Sequence, residues 1–203
     1  MHVNLLNSNA YSAVNLFNKV QLISPEEITK MGKGVFWIHN ILPKAILIGG
    51  TAVVNYLHSG RDLTPDLDYL FHDFESLSSI LDANNIGYND LYSFNNQVIG
   101  ITIPSLNIDV LSKKSVHHIL YQYILKDYST TIIGNIPCNI IAVELLVIQK
   151  IMLGRNKDID DAIALIQGNN LNQSRLTVYL NELNTAGVDI ESVLNFITAF
   201  KTN

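Results

Sequence analysis

Cysteine is all but missing from these 203 residues: Cys138 stands alone, which excludes an internal disulfide and any Cys-rich zinc site. Basic charge is scarce as well. Thirteen Lys and Arg face eighteen Asp and Glu, a formal net charge of −5. A protein that grips nucleic acid chiefly through phosphates gains affinity by releasing counterions and is ordinarily basic, so an extended nucleic-acid surface is disfavoured. Long apolar runs are absent too. The longest candidate, residues 140–152, is broken by Glu144, Gln149 and Lys150, well short of the roughly 18 apolar residues of a membrane span. The first twelve residues, MHVNLLNSNAYS, have neither a basic region nor an apolar h-region, so no signal peptide and no membrane are expected, and the cytoplasm is the expected location.

What is present describes a globular chain. Hydrophobic residues make up 48% and charged residues 15%, enough apolar surface for a sizeable core. The charges are unevenly spread. Between Asp62 and Asp90 lie seven acids and no Lys or Arg, whereas Lys113, Lys114, Lys150, Arg155 and Lys157 fall in the second half. Such asymmetry suits a compact metal-and-phosphate site.

Ser24-Pro25-Glu26-Glu27 reads as a helix start, with Ser as N-cap, Pro in the first turn and acids beside it. That helix should reach about residue 40 and stop before Pro43. The pattern then predicts a strand at 44–48, a helix from 51, a strand at 67–71 and a helix at 74–84. A pair of strands is expected within 95–112, turning at Pro104-Ser105, and a further β segment over 130–141 around Gly134-Asn135. Beyond 142 the chain reads as helical throughout. The expected organisation is a lead-in at 1–43, an α/β core at 44–141 and a helical region at 142–203.

Chemistry concentrates between residues 46 and 71, ILIGGTAVVNYLHSGRDLTPDLDYLF. Gly49-Gly50 falls between a strand and a helix, where glycine admits positive φ and close ligand approach, and the helix N-terminus offers N–H groups to an anion. Thr51 adds a hydroxyl. Taken alone, the pattern is better described as a corner needing glycine for geometry only; it is neither a Walker A loop nor G-x-G-x-x-G. Asp66 and Asp68, two apart on the next strand, project from one face about 6–7 Å apart. Two carboxylates so close repel unless a cation holds them, and magnesium with its oxygen ligands suits a site beside a triphosphate. Leu70 and Phe71 exclude an EF-hand. Asp109, within Asn107-Ile108-Asp109-Val110-Leu111, is a third strand-borne acid. On a neighbouring strand it would complete a set able to hold two metals roughly 3.5–4 Å apart for in-line displacement at phosphorus; an isolated buried salt bridge is the alternative. His117-His118 face apart on a helix and do not share a metal, and Cys138 reads as core.

Gly49-Gly50-Thr51, then Arg61, Thr64 and Asp66-Leu67-Asp68, resembles the nucleotidyltransferase superfamily that includes DNA polymerase β, and most nearly the bacterial AbiEii-type toxin nucleotidyltransferases. The resemblance continues through Asp109 to a helical tail with Lys150 and Lys157-Asp158, covering about residues 44–168. The spacer from Thr51 to Asp66 is longer than the family's, with Leu63 and Pro65 around Thr64.

The resemblance implies an α+β nucleotidyltransferase fold: a small mixed β-sheet flanked by helices, with a C-terminal helical region. It implies that Gly49, Gly50 and Thr51, with Arg61, Thr64 and Asp158, bind or shape the site for an NTP. Asp66, Asp68 and Asp109 would bind Mg²⁺ or Mn²⁺, Asp109 also serving as general base, and Lys150 would neutralise the triphosphate. For Lys150 to Asp161 a solvated helix pair with local charge pairing is the alternative. The implied activity is transfer of an NMP to an acceptor hydroxyl on an RNA end, a protein or a small molecule, in the setting of a toxin with a cognate antitoxin. A catalytically inactive nucleotide-binding module on the same fold is the competing reading.

Overall fold

Burial on both faces explains why residues 46–48 are uniformly apolar: they form β1 (Ile46–Ile48), a strand inside a mixed sheet. The computed structural model describes residues 25–57, 66–93, 95–168 and 171–201. Ser24, His58, Arg61 and Thr64 lie outside the described residues, so the expected N-cap and two of the expected nucleotide contacts do too.

Helix α1 (Pro25–Ile41) leads into β1, which passes without a loop into α2 (Gly49–Tyr56). Then come β2 (Leu67–Leu70), α3 (Phe74–Ala83), β3 (Asn89–Tyr92), β4 (Val98–Ile103) and β5 (Ile108–Leu111). A short 3₁₀ turn (Lys113–Ser115) and α4 (His118–Lys126) precede the hairpin β6 (Tyr128–Ile133) and β7 (Ile136–Ile141). Four helices end the chain: α5 (Val143–Leu153), α6 (Asn156–Gly168), α7 (Gln173–Thr185) and α8 (Glu191–Lys201). The sheet order is β3-β4-β5-β2-β1-β7-β6. The pairs β2–β5 and β1–β7 are parallel and the others antiparallel. The architecture is therefore α+β, a mixed sheet flanked by helices with a helical C-terminal region.

Helix α1 packs Met31, Val35 and Ile38, continued by Leu42 just past its end, onto one face of the sheet, a stripe at helical spacing. Gly34 lets it come close: a Cβ there would lie 2.9 Å from Leu67 Cδ1 and 3.1 Å from the Leu106 carbonyl oxygen. Leu67 shares its sheet face with Tyr69, so the intervening Asp68 is turned to the opposite face.

Helix α5 is buried from Glu144 to Lys150 without a break, as befits a central helix rather than an amphipathic surface one. Its two buried charges are matched. Glu144 accepts a hydrogen bond from the Asn172 backbone N–H at 2.7 Å, and Lys150 is considered below. Gly154, at φ +66°, caps the helix through its N–H on the Lys150 carbonyl and turns the chain back into α6. Asp127, after α4, accepts from both Arg175 and Tyr179 of α7, fixing the last helices to the hairpin side. One apolar core runs from Met31 to Ile197 through sheet and tail alike.

The sequence pattern does not predict strand β3, and of helix α4 it predicts only that His117-His118 sit on a helix. Asn89–Tyr92 is an edge strand, largely solvated, and lacks the apolar alternation that marks a half-buried strand. HILYQYILK is rich in β-branched and aromatic residues and has no side-chain N-cap bond, so local preference hides the helix.

Candidate functional site

Strand β1 ends one residue before a backbone conformation that side chains avoid. Gly49 has φ +68°, and a Cβ built on it would stand 1.9 Å from Asp68 Oδ2 and 2.6 Å from Asp68 Cγ. Antiparallel register explains the encounter, since Ile48 pairs with Asp68. Two requirements thus coincide at Gly49, a left-handed backbone and room for a carboxylate. The next N–H, that of Gly50, donates to Asp68. Gly49→Ala is accordingly expected to destabilise the fold by about 2–4 kcal/mol, left-handed strain plus overpacking. Chemical denaturation of the single variant and of G49A/D68A checks this, the double variant recovering part of the loss if the Asp68 contact is responsible.

Thr51 has a different place from the one expected of a phosphate ligand. It is buried, and its hydroxyl donates to the Asp66 backbone carbonyl at 2.9 Å. The side chain therefore ties the first turn of α2 to the start of β2 and does not line the cleft.

Parallel pairing of β2 with β5 sets Asp68 directly beside Asp109. Opposite residues of neighbouring strands share a face, so the two carboxylates stand side by side, with Thr102 next in the same row. Asp66, just before β2, is exposed at the rim. All three line one cleft of about 290 Å³, together with Gly49, Gly50, Gln149, Lys150, Arg155 and Lys157. Burial, reinforced by the charges of Asp109 and Asp66, pushes the Asp68 carboxyl up to about 6; the Lys150 charge and the Gly50 N–H only partly oppose this. Among the described residues, none of the three aspartates has a salt-bridge partner.

The donor set fits a hard divalent cation. Adjacent carboxylates of raised basicity are oxygen ligands in need of positive charge. Among the described residues, no three His, Cys, Asp or Glu side chains form a group that could by itself hold a metal ion.

Lys150, at 4% exposure, reaches Asp158 Oδ1 at 2.8 Å and Asp161 Oδ2 at 2.9 Å. Arg155 adds two bonds to Asp158, one of them from Nη2 to Oδ1 at 3.2 Å. Burial alone would raise the Asp158 carboxyl, but the hydrogen bonds from Arg155 and Lys150 outweigh it and hold it below the usual range. The sequence reading has Asp158 shaping the site but misses Asp161, one turn further along α6, as a second partner of Lys150. The spacing of Asp158 and Asp161, three apart on a helix, was the available signal. It also missed Arg155 and Lys157 as exposed cations on the cleft wall, and Gln149. Gln149 is 8% exposed, and its Oε1 has no hydrogen-bond partner.

The other candidates stay outside the cleft. Contrary to the expectation that they face apart on a helix, the His117 and His118 rings lie against each other, centroids 4.6 Å apart, because His117 precedes α4. Cys138 is buried, which pushes its thiol up to about 11 and leaves it inert.

No protein-family model matches the sequence, and no curated protein matches it either. Among solved structures the chain is similar to an antigenic nucleotidyltransferase-like protein from Paracoccidioides brasiliensis, at 19% identity and a TM-score of 0.47, over 82% of this chain and 92% of that one.

Proposed function

We propose that this chain is a metal-dependent nucleotidyltransferase, moving an NMP from an NTP to an acceptor hydroxyl and releasing pyrophosphate. The observation that carries the reading is the pairing of Asp68 with Asp109 on parallel strands, in a cleft that also holds the Gly49-Gly50 corner and three cations of the α5–α6 turn. Asp68 and Asp109, with Asp66 at the rim of the same cleft, would hold Mg²⁺ or Mn²⁺ through carboxylate oxygens, which would supply charge neutralisation on the triphosphate and a more acidic attacking hydroxyl. Asp109, beside the acceptor, takes the hydroxyl proton as general base. The backbone at Gly49 and Gly50 admits the phosphates at the start of α2. Arg155 and Lys157, exposed on the wall, steady the triphosphate, while Lys150 contributes its field from within the wall. The acceptor is an RNA end, a protein or a small molecule. The biological setting we favour is a toxin, of the AbiEii type, held in check by a cognate antitoxin.

The test is incubation with Mg²⁺ and α-labelled NTPs against RNA, protein and small-molecule acceptors, beside Asp109→Asn. Label transferred by the wild type and lost in the variant is the expected result. If nothing is labelled and NTP binds both proteins equally, the enzyme reading fails.

Protons compete with metal at Asp68. Because its carboxyl is held at about 6, Mg²⁺–NTP affinity is expected to be level above pH 7 and to weaken as pH falls through 6. Toward lower pH the loss should steepen to about tenfold per unit. Titration calorimetry at constant ionic strength from pH 5 to 8 checks this; a flat profile contradicts it.

A further inference from the structure

The cleft contains one polar group for which neither the carboxylates nor the cations have a use. Gln149 lies on the buried stretch of α5, more than nine-tenths covered, and lines the cleft. Its Oε1 is out of contact with water and has no hydrogen-bond partner. Proteins rarely leave a buried acceptor unmatched, because the lost hydration is not recovered. Asparagine or glutamine in such a place either wastes folding free energy or meets a donor that arrives from outside. Gln149 itself lines the cleft, and a turn of its carboxamide about the soft, two-fold last torsion brings Oε1 to that side, the direction from which a donor can come.

The neighbours say what kind of molecule brings it. Charged phosphate contacts are supplied at the α5–α6 corner by Arg155 and Lys157. Gln149 is neutral and offers an acceptor and a donor side by side, the wrong chemistry for phosphate and the right one for the edge of a nucleobase. Leu153 lies four residues on, on the same helical face. It is 48% exposed, beyond the buried stretch of α5, and it lines the same cleft. Leu91, Ile99 and Leu111 supply further apolar lining from β3, β4 and β5. A flat ring with a polar edge suits an apolar lining that carries one carboxamide.

We infer that Gln149 is a specificity-determining residue that reads the base of the nucleotide. Its Oε1 accepts from an exocyclic amine and its Nε2 donates to the adjacent ring nitrogen, the pair of groups that adenine and cytosine present. The inference rests on the nucleotide reading of the cleft and adds to it the class of nucleotide: amine-bearing bases over bases that lack the amine.

The experiment measures affinities of the whole chain, with Mg²⁺, for non-transferable α,β-methylene triphosphates. ATP is compared with the purine riboside analogue lacking the amine, and CTP with the pyrimidin-2-one riboside analogue. For whichever ring the cleft accepts, the wild type is expected to favour the amine-bearing partner roughly tenfold. Gln149→Leu should bring that ratio to about one while melting at or above the wild-type temperature, since it removes an unmatched acceptor. Gln149→Met is the second variant, should leucine not fold. A ratio near one in the wild type overturns the inference, as does a ratio that survives in the variants. So does a discrimination that follows the ribose 2′-hydroxyl, probed with the 2′-deoxy analogue, instead of the amine. In those three cases the nucleotide reading stands; if no triphosphate binds at all, both readings fall together.

Discussion

Asparagine in place of Asp68 is expected to cut nucleotide transfer severely and, in the absence of divalent metal, to raise the stability of the protein. Both effects come from the same charge. Asp68 is mostly buried, packed against Gly49, and beside Asp109. Those surroundings push its carboxyl from 3.8 to about 6. A carboxyl raised on folding contributes stability that is fully present below the unfolded value and is lost as pH rises through the folded one. At pH 7 the cost of holding the charged form amounts to about 3 kcal/mol at most. The asparagine side chain does not carry that charge, keeps the shape, and still accepts the Gly50 N–H through its amide oxygen. The melting-temperature gap between D68N and the wild type should therefore be widest above pH 7 and close toward pH 4. Adding Mg²⁺ and NTP should stabilise the wild type by mass action and leave the variant unmoved. Transfer should fall by roughly 10³-fold, the several kcal/mol that a correctly held cation supplies. A variant less stable than the wild type at pH 7 without metal would mean that Asp68 has a structural cation partner, and the site assignment would be wrong.

That conflict between stability and charge was partly legible in the sequence. Two acids at alternate positions of a strand, and a third in the middle of another, already broke the apolar pattern where a core was being built. Their sharing of one cleft was not legible, because strand order is set by long-range packing. Asp109 meets Asp68 only since β5 pairs parallel to β2 after β3 and β4 have been laid on the far side. The helices with strong periodicity were readable, and so was the change from strand to helix at Ala142. The edge strand β3 was not, as its residues face water and carry no alternation. Thr51 shows a subtler limit. Its position beside Gly49-Gly50 suggested a phosphate ligand, but the hydroxyl is engaged by the Asp66 backbone carbonyl just before β2, fifteen residues later. Gln149 was invisible for the opposite reason. Within an apolar helix one glutamine looks like a tolerated polar residue until its burial and its lack of a partner are seen.

Lys150→Met separates the structural from the chemical part of the α5–α6 corner. Both its aspartate partners are buried, so removing the lysine takes one cation from each of two carboxylates in the wall, while Asp158 keeps Arg155. Breaking a buried pair from one side costs about 3–5 kcal/mol, because the remaining charge has lost its compensation. The pH dependence identifies the cause. In the wild type Asp158 is held below its ordinary value, so its ion pairs stabilise the fold above about pH 4, the unperturbed carboxylate range, and that contribution is lost as pH falls through the lower folded value. In K150M that dependence is expected to be shallower, because Asp158 has lost one of the two cations that lower it and keeps Arg155. Denaturant melts from neutral to acid pH should show the deficit shrinking toward acid. K150M/D158N/D161N should recover part of the stability at neutral pH, since the carboxylates that lost the lysine are replaced by neutral amides. Transfer by the triple variant then measures what Lys150 does for the triphosphate. Activity within about tenfold of wild type would leave phosphate stabilisation to Arg155 and Lys157, the loss of a single well-aimed electrostatic contact being about a hundredfold or more.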